Sequence, residues 1–164
     1  MSTPAGLTTL PPTKALRDTL LDLLGRDVQV APSSPWSPTL KEPGAVAVYV
    51  DNGMKLRALI CCDLPLAVAL GASIALIPAK RASECIKGGT LTGELSENLY
   101  EVLNVLCGLF NLPDHPHVKL YEVHSPGKLA PEDLGVRLRA FGKREDLKVD
   151  VAGYGSGLLS FVVV

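Results

Sequence analysis

Leu16, Leu20, Leu23 and Leu24 recur at helical spacing behind Pro11, Pro12 and Thr13, and Gly25 follows where a left-handed C-terminal cap is wanted. With Thr13 suited to an N-cap, this predicts a helix over residues 13–24. Val28 and Val30 alternate with polar neighbours as in a short strand, and residues 31–44, with four prolines, read as a loop. Residues 45–50, the turn Asp51-Asn52-Gly53 and residues 55–62 give a hairpin signal, because Asn-Gly supplies the positive φ angles of a tight turn. Asp63 is placed to cap the next helix, whose Leu66, Ala67, Val68, Leu70, Ile74 and Ala75 leave no polar face; it should be enclosed on most sides and end near Pro78. Residues 80–89 read as a connection with a short helical turn. Thr92 opens a longer helix that runs to about Asn111, ahead of Pro113. Strands are expected over residues 117–123, 136–141, 147–152 and 158–164, the last two joined by a turn through Gly153-Tyr154-Gly155-Ser156-Gly157. The order gives an α+β fold of two layers, with helices packed on a largely antiparallel sheet.

A length of 164 residues with 47% apolar content supports one sizeable core. A single domain over residues 1–164 follows, with residues 1–10 as a flexible N-terminal segment. Sixteen basic residues against seventeen acidic ones leave a net charge of −1 with no long run of either sign. That excludes the electrostatic footprint of a nucleic-acid binder and favours a folded protein partner or a small molecule. The start has no basic region followed by an apolar stretch, so a cytoplasmic location is expected. Cys61, Cys62, Cys85 and Cys107 read as reduced and buried. Cys61 and Cys62 are adjacent and point to opposite faces of a strand, and no Cys-x-x-Cys pair is present to seed a zinc site. The apolar stretch 64–79 contains Pro65, Gly71 and Pro78 and falls short of the roughly 20 residues of a membrane span, so it is expected as a buried helix.

The helix from Thr92 carries the most information. On a helical wheel, Leu95, Leu99, Val102, Leu103, Leu106, Leu109 and Phe110 form one arc that faces the core. Opposite lie Glu94, Glu97, Glu101, Asn104 and Gly108, at spacings of three and four that make them neighbours on one face. Gly108 costs a helix about 1 kcal/mol relative to alanine, which suggests that something approaches the backbone there. A polar stripe opposite a core stripe is also what any half-buried helix shows, so the wheel by itself assigns no chemistry.

The segment from Glu97 to Gly108 resembles the signature of the CheC/CheX/FliY family of response-regulator phosphatases. That signature is an acidic residue or serine, three residues, Glu, two residues, Asn and, in CheX-like members, a Gly four further on. The leucine-striped helix and strand of residues 13–32, the hairpin, the alanine-rich helix 64–79 and the glycine-broken terminal hairpin are similar to the family in matching order. Glu97 stands where the family usually has Asp or Ser, and the downstream proline comes one position early, as Pro126. The first helix, with Lys14, Arg17, Asp18 and Asp22, has no Glu-x-x-Asn, so the single-site CheX pattern is the better match.

The resemblance implies a protein aspartyl-phosphate phosphatase acting on a phosphorylated CheY-like receiver domain, in chemotaxis or related two-component signalling. Hydrolysis of an acyl phosphate has a good leaving group and needs positioning and charge stabilisation more than a strong base. The resemblance makes Glu101 and Asn104 the catalytic residues, Asn104 holding the water in line and Glu101 pairing with the receiver's lysine. Glu97 and Gly108 are assigned to partner binding. No cofactor is expected on this chain, magnesium coming from the receiver, and similarity to CheX implies a homodimer for which the apolar terminal strand offers a pairing edge. The alternative is a catalytically inactive CheX-like domain that only binds a receiver or serves as a scaffold. A small-molecule binding domain would instead show an enclosed pocket away from residues 97–108.

Other constellations are weaker. His115-Pro116-His117 and His124 lack further ligands for a metal site. The glycines of residues 153–157 precede an apolar strand rather than a helix, which argues against a phosphate loop. No Gly-x-Ser-x-Gly elbow is present, and Trp36 is expected to fold back onto the domain.

Overall fold

The apolar runs of residues 44–51 and 56–63 become β2 (Gly44–Asp51) and β3 (Leu56–Asp63), an antiparallel hairpin that pairs Tyr49 with Ala58. The structure, a computed structural model, describes residues 7–127, 131–139 and 143–164. Among these, β1 (Val28–Pro32), β4 (Val118–His124), β5 (Arg144–Val151) and β6 (Gly155–Val163) complete one sheet of order β1-β5-β6-β3-β2-β4, antiparallel throughout. The helices are α1 (Thr13–Leu24), α2 (Leu64–Ile74), α3 (Ala79–Gly88), α4 (Gly93–Leu106) and α5 (Glu132–Arg139). The expected arrangement of helices on an antiparallel sheet is the one found.

The main core lies between one sheet face and α1, α2 and α4, where Leu16, Leu20, Leu66, Leu70, Leu99 and Leu103 meet Tyr49, Ile60 and Phe161. α2 is buried on most sides, as its sequence requires. The Asp63 side chain caps it by accepting from the Leu66 N–H at 3.0 Å, and it ends at Ile74, short of Pro78. Gly157, inside β6, lets this end of α2 seat on the sheet: a Cβ there would lie 2.7 Å from the Leu66 nitrogen and would run into the Asp63 carboxylate. α1 begins behind Pro12 with no side-chain cap from Thr13, and Gly25 closes it at φ 65° as predicted.

The second sheet face is also covered. Leu134 and Leu138 of α5 join Val46, Val48, Leu59, Cys61 and Val162 there, with Trp36 folded back against them as expected. α5 replaces the strand expected over residues 136–141. The pair four residues apart, Leu134 and Leu138, buries itself while Val136 stays 56% exposed, so helical spacing wins over the local alternation. Residues 140 and 141 of that expected strand lie outside the described residues. The Arg144 guanidinium meets the Asp146 carboxylate at 2.7 Å and also donates to the Trp36 carbonyl at 2.9 Å, while Ser160 donates to Asp146 at 2.6 Å. Burial works against the Asp146 charge, yet the hydrogen bonds from Arg144 and Ser160, the Arg144 charge and the Trp36 N–H together hold its carboxyl below the usual range.

Four further expectations are corrected. Residues 79–88 form a full helix, α3, closed by Gly89 at φ 78°, where a connection was expected. In the β2–β3 turn the positive φ falls on Met54, at 64°, and not on Asn52 or Gly53. The Asp51 side chain accepts from the Gly53 and Lys55 N–H groups at 2.9 and 3.0 Å, and the Met54 N–H bonds to the Asp51 carbonyl at 3.0 Å. That is a turn closed by one left-handed residue, a longer loop than the two-residue one that Asn-Gly suggests. The terminal strand β6 lies inside the sheet between β5 and β3, so it offers no edge for pairing with a second copy; β1 and β4 are the edges. Its turn is also narrower than expected, because Gly155 and Gly157 already belong to β6.

Cys61 and Cys62 do face opposite sides of β3, one in each core, and burial pushes the Cys61 thiol up to about 12. Cys107 is buried as well, whereas Cys85 is only half-buried. Residues 1–6 of the N-terminal segment lie outside the described residues; beyond them Thr8 is buried and Leu10 packs against the main core.

Candidate docking and catalytic face on α4

α4 is held at its start, along its inner face, by α2 and by the sheet. At its start Thr92 caps it, accepting from the Leu95 N–H at 3.3 Å. Along its inner face Leu95, Leu99, Val102, Leu103 and Leu106 are buried. Asn98 donates to the Gly71 carbonyl of α2 at 2.9 Å, across a contact so close that a Cβ on Gly71 would sit 2.8 Å from the Leu95 carbonyl oxygen. From the sheet, the Tyr49 hydroxyl donates to the Leu103 carbonyl at 2.7 Å. At its end α4 tightens into a 3-10 turn, Cys107–Leu109, instead of running on to Asn111. Asn111 then brackets β4, donating to the Val118 carbonyl at 3.0 Å and accepting from the Val118 N–H at 2.8 Å.

Glu97, Glu101 and Asn104 project from the outer face of this helix, and all three are exposed. Spaced by four and three residues, they share one face and lie about one helical turn apart, near 5.4 Å along the axis. None of the three side chains has a hydrogen bond or ion pair to another described residue. Glu94, on the same stripe, is differently placed, with an ion pair to Arg81 of α3 at 3.5 Å. Gly108 falls in the 3-10 turn, exposed, and a Cβ there would meet nothing within 4 Å. No contact inside the chain therefore requires glycine at that position.

Sequence reasoning missed two neighbours of the stripe. Tyr100 and Val105 are 44% and 42% exposed and flank the polar residues on either side. The signal was available, since neither falls in the core arc of the wheel. It also missed an open groove of about 460 Å³ beside Glu97 and Glu101, bounded by Leu91, Tyr100 and, from the end of β4, Val123 and Ser125. A second open groove, of about 540 Å³, is lined by Trp36, Pro43, Asp63 and Leu158 together with Ile86 and Gly89 from the end of α3. Desolvation raises the Asp63 carboxyl there, against the hydrogen bonds it accepts from the Leu66 and Leu158 N–H groups. His124 contacts Glu122 at 3.1 Å and His115 reaches the Pro113 carbonyl at 2.8 Å. Among the described residues no group of three or more His, Cys, Asp or Glu side chains is placed to hold a metal ion, and no helix is long and apolar enough to cross a membrane.

Helices packed on a six-stranded antiparallel sheet of this order make a fold shared with CheX and the FliM middle domain. The chain has this fold, as the CheC/CheX/FliY resemblance led one to expect. FliM in the FliM-SpeE complex from H. pylori superposes with a TM-score of 0.60 at 8% identity, over 92% of this chain and 80% of that one. The FliM middle domain from Vibrio alginolyticus gives 0.57 at 11% identity, covering 92% and 86%. CheX in the CheX-CheY-BeF3-Mg complex from Borrelia burgdorferi gives 0.54 at 11% identity, covering 92% and 93%. No family model and no curated protein matches the sequence.

Proposed function

We propose that the chain is a phosphatase for the aspartyl phosphate of a CheY-like receiver domain, docking through the outer face of α4, in cytoplasmic chemotaxis or related two-component signalling. The observation that carries this reading is the exposure of Glu101 and Asn104 together, without internal partners, on a helix that the rest of the fold holds still. A carboxamide and a carboxylate left unpaired on a rigid surface are available to another molecule. The fold likeness to CheX, solved in a complex with CheY, adds to it.

In the proposed reaction the Asn104 carboxamide enters the receiver's site and hydrogen-bonds a water in line with the phosphorus. The water oxygen forms the new bond to phosphorus as the bond to the acyl oxygen breaks. The products are the receiver's aspartate carboxylate and inorganic phosphate, and the proton of the water leaves with the phosphate or to solvent. Glu101 pairs with the receiver's lysine and fixes the approach, with Glu97 and Gly108 at the rim of the contact. The receiver brings the magnesium. Preorganised positioning of this kind is worth about 10²-fold in rate, so Asn104→Ala should remove that much of the acceleration. The test is phosphate release from a phosphorylated receiver of the same cell: acceleration by the wild type and its loss in Asn104→Ala support the reading, and an unaccelerated rate with every such receiver sinks it.

The FliM likeness favours a second reading, a catalytically silent domain that binds a receiver or serves in an assembly. FliM in its complex with SpeE matches with a TM-score of 0.60 against 0.54 for CheX, and FliM is likewise solved in complexes with other proteins. Binding of a receiver without faster phosphate release would select it. A homodimer, if formed through the sheet, would have to use β1 or β4.

A further inference from the structure

We propose that the groove between α4 and the end of β4 receives an arginine side chain of the docking partner, with Glu97 as its counter-charge and the Tyr100 ring as its platform. The inference deepens the docking reading above and rests on it for the nature of the partner. The groove holds about 460 Å³, within the range of sites that accept a small group. Leu91, Leu99 and Val123 give it apolar walls, Tyr100 an aromatic one, and Glu97 and Glu101 line its polar side.

Charge fixes the class of occupant. Glu97 and Glu101 stand four residues apart on one helix face, a like-charge spacing that weakens the helix that carries it. Neither is paired with a described residue, and no Lys or Arg is among the described residues that line the groove. The chain thus leaves two carboxylates facing a partly apolar space, and a cation from outside removes the repulsion between them. A phosphate or acidic side chain is repelled from the same place. The groove therefore orients the partner so that its phosphorylated end lies toward Asn104, which is not part of the lining.

Arginine fits better than lysine for three reasons. Its planar guanidinium stacks on a tyrosine face, forks onto a carboxylate, and is more weakly hydrated than an ammonium group. Its aliphatic stem can lie along Leu91 and Val123 while the head stays at the rim. The groove is then a specificity device, favouring receivers with an arginine beside their active site over those without one.

The test uses N-acetyl-arginine methylamide titrated into the full chain labelled with 15N, with the citrulline analogue as a control of the same shape and no charge. The expected result is a set of amide shifts at Leu91, Tyr100, Val123 and Ser125 that saturate together. Affinity should fall about fivefold with the citrulline analogue, with Glu97→Gln and with Tyr100→Ala, the size of one exposed charge contact. Asn104→Ala should bind as the wild type does, and the remaining amide peaks report that each variant is folded. Shifts located elsewhere, equal shifts with the citrulline analogue, or undiminished binding in both groove variants would overturn the proposal. Because no phosphorylated receiver is involved, a chain that binds the arginine probe yet fails to release phosphate overturns only the phosphatase reading, and the converse result overturns only this one.

Discussion

The Tyr49 hydroxyl donates to the Leu103 carbonyl at 2.7 Å, so a strand of the sheet holds the helical turn that separates Glu101 from Asn104. As α4 tightens beyond Leu106, the Cys107 N–H turns to the Asn104 and Val105 carbonyls, and Tyr49 serves the Leu103 carbonyl from the core. Burial pushes the Tyr49 hydroxyl well above its ordinary range, which keeps it a donor at every working pH. The polar face and the core are thereby connected through one buried hydrogen bond.

Tyr49→Phe keeps the ring contacts with Phe110 and removes that bond. The expected loss is about 1–2 kcal/mol, the cost of leaving a buried carbonyl without its donor. Urea unfolding of the two proteins measures it, and equal midpoints would show that the bond contributes nothing.

Gly157→Ala forces a methyl group against the backbone of α2 beside Leu66 and against the Asp63 cap. Backbone cannot turn aside as a side chain can, so the substitution should cost about 3 kcal/mol, the upper end for overpacking. Gly108→Ala, with open space around its Cβ, should leave stability unchanged or improve it. Thermal unfolding of both variants makes the comparison.

Acid should weaken the fold through Asp146. Its carboxyl titrates below the ordinary value in the folded state, so the unfolded chain takes up the proton first as pH falls. The stabilisation is complete above the unfolded value, near pH 4, and is lost as pH drops through the lower folded value. Unfolding free energy measured from pH 6 down to pH 2 should fall more steeply for the wild type than for Asp146→Asn; parallel curves would contradict the assignment.

Of the four thiols, Cys85 should react first with Ellman's reagent in the native state. Cys61, held near 12, and the buried Cys62 and Cys107 should react only on unfolding, since the thiolate is the reactive form. Rapid modification of more than one thiol in the folded protein would count against the burial described here.

The elements that local pattern determines were readable in the sequence. α1 carries a leucine stripe and a terminal glycine, Asp63 announces α2, and helical spacing alone gathers Glu97, Glu101 and Asn104 on one face. What escaped depends on contacts distant along the chain. From Val136 to Phe141 apolar and basic residues alternate as in a strand, and only the covered second face of the sheet selects Leu134 and Leu138 as the buried pair. The groove beside Glu97 needs Val123 and Ser125 from the end of β4, which no helical wheel can supply. Likewise the position of β6 is a matter of strand order, invisible in its own composition.

That position governs how the molecule comes together. Among the described strands, β6 alone links by backbone hydrogen bonds the pair β1-β5, one early strand and one late, to the trio β3-β2-β4 from the middle of the chain. The β3–β6 ladder pairs residues about a hundred positions apart, a long-range closure of the kind that slows folding. Loss of the chain beyond Tyr154 would leave the two half-sheets joined only through the helices packed on them, with no continuous ladder between β5 and β3.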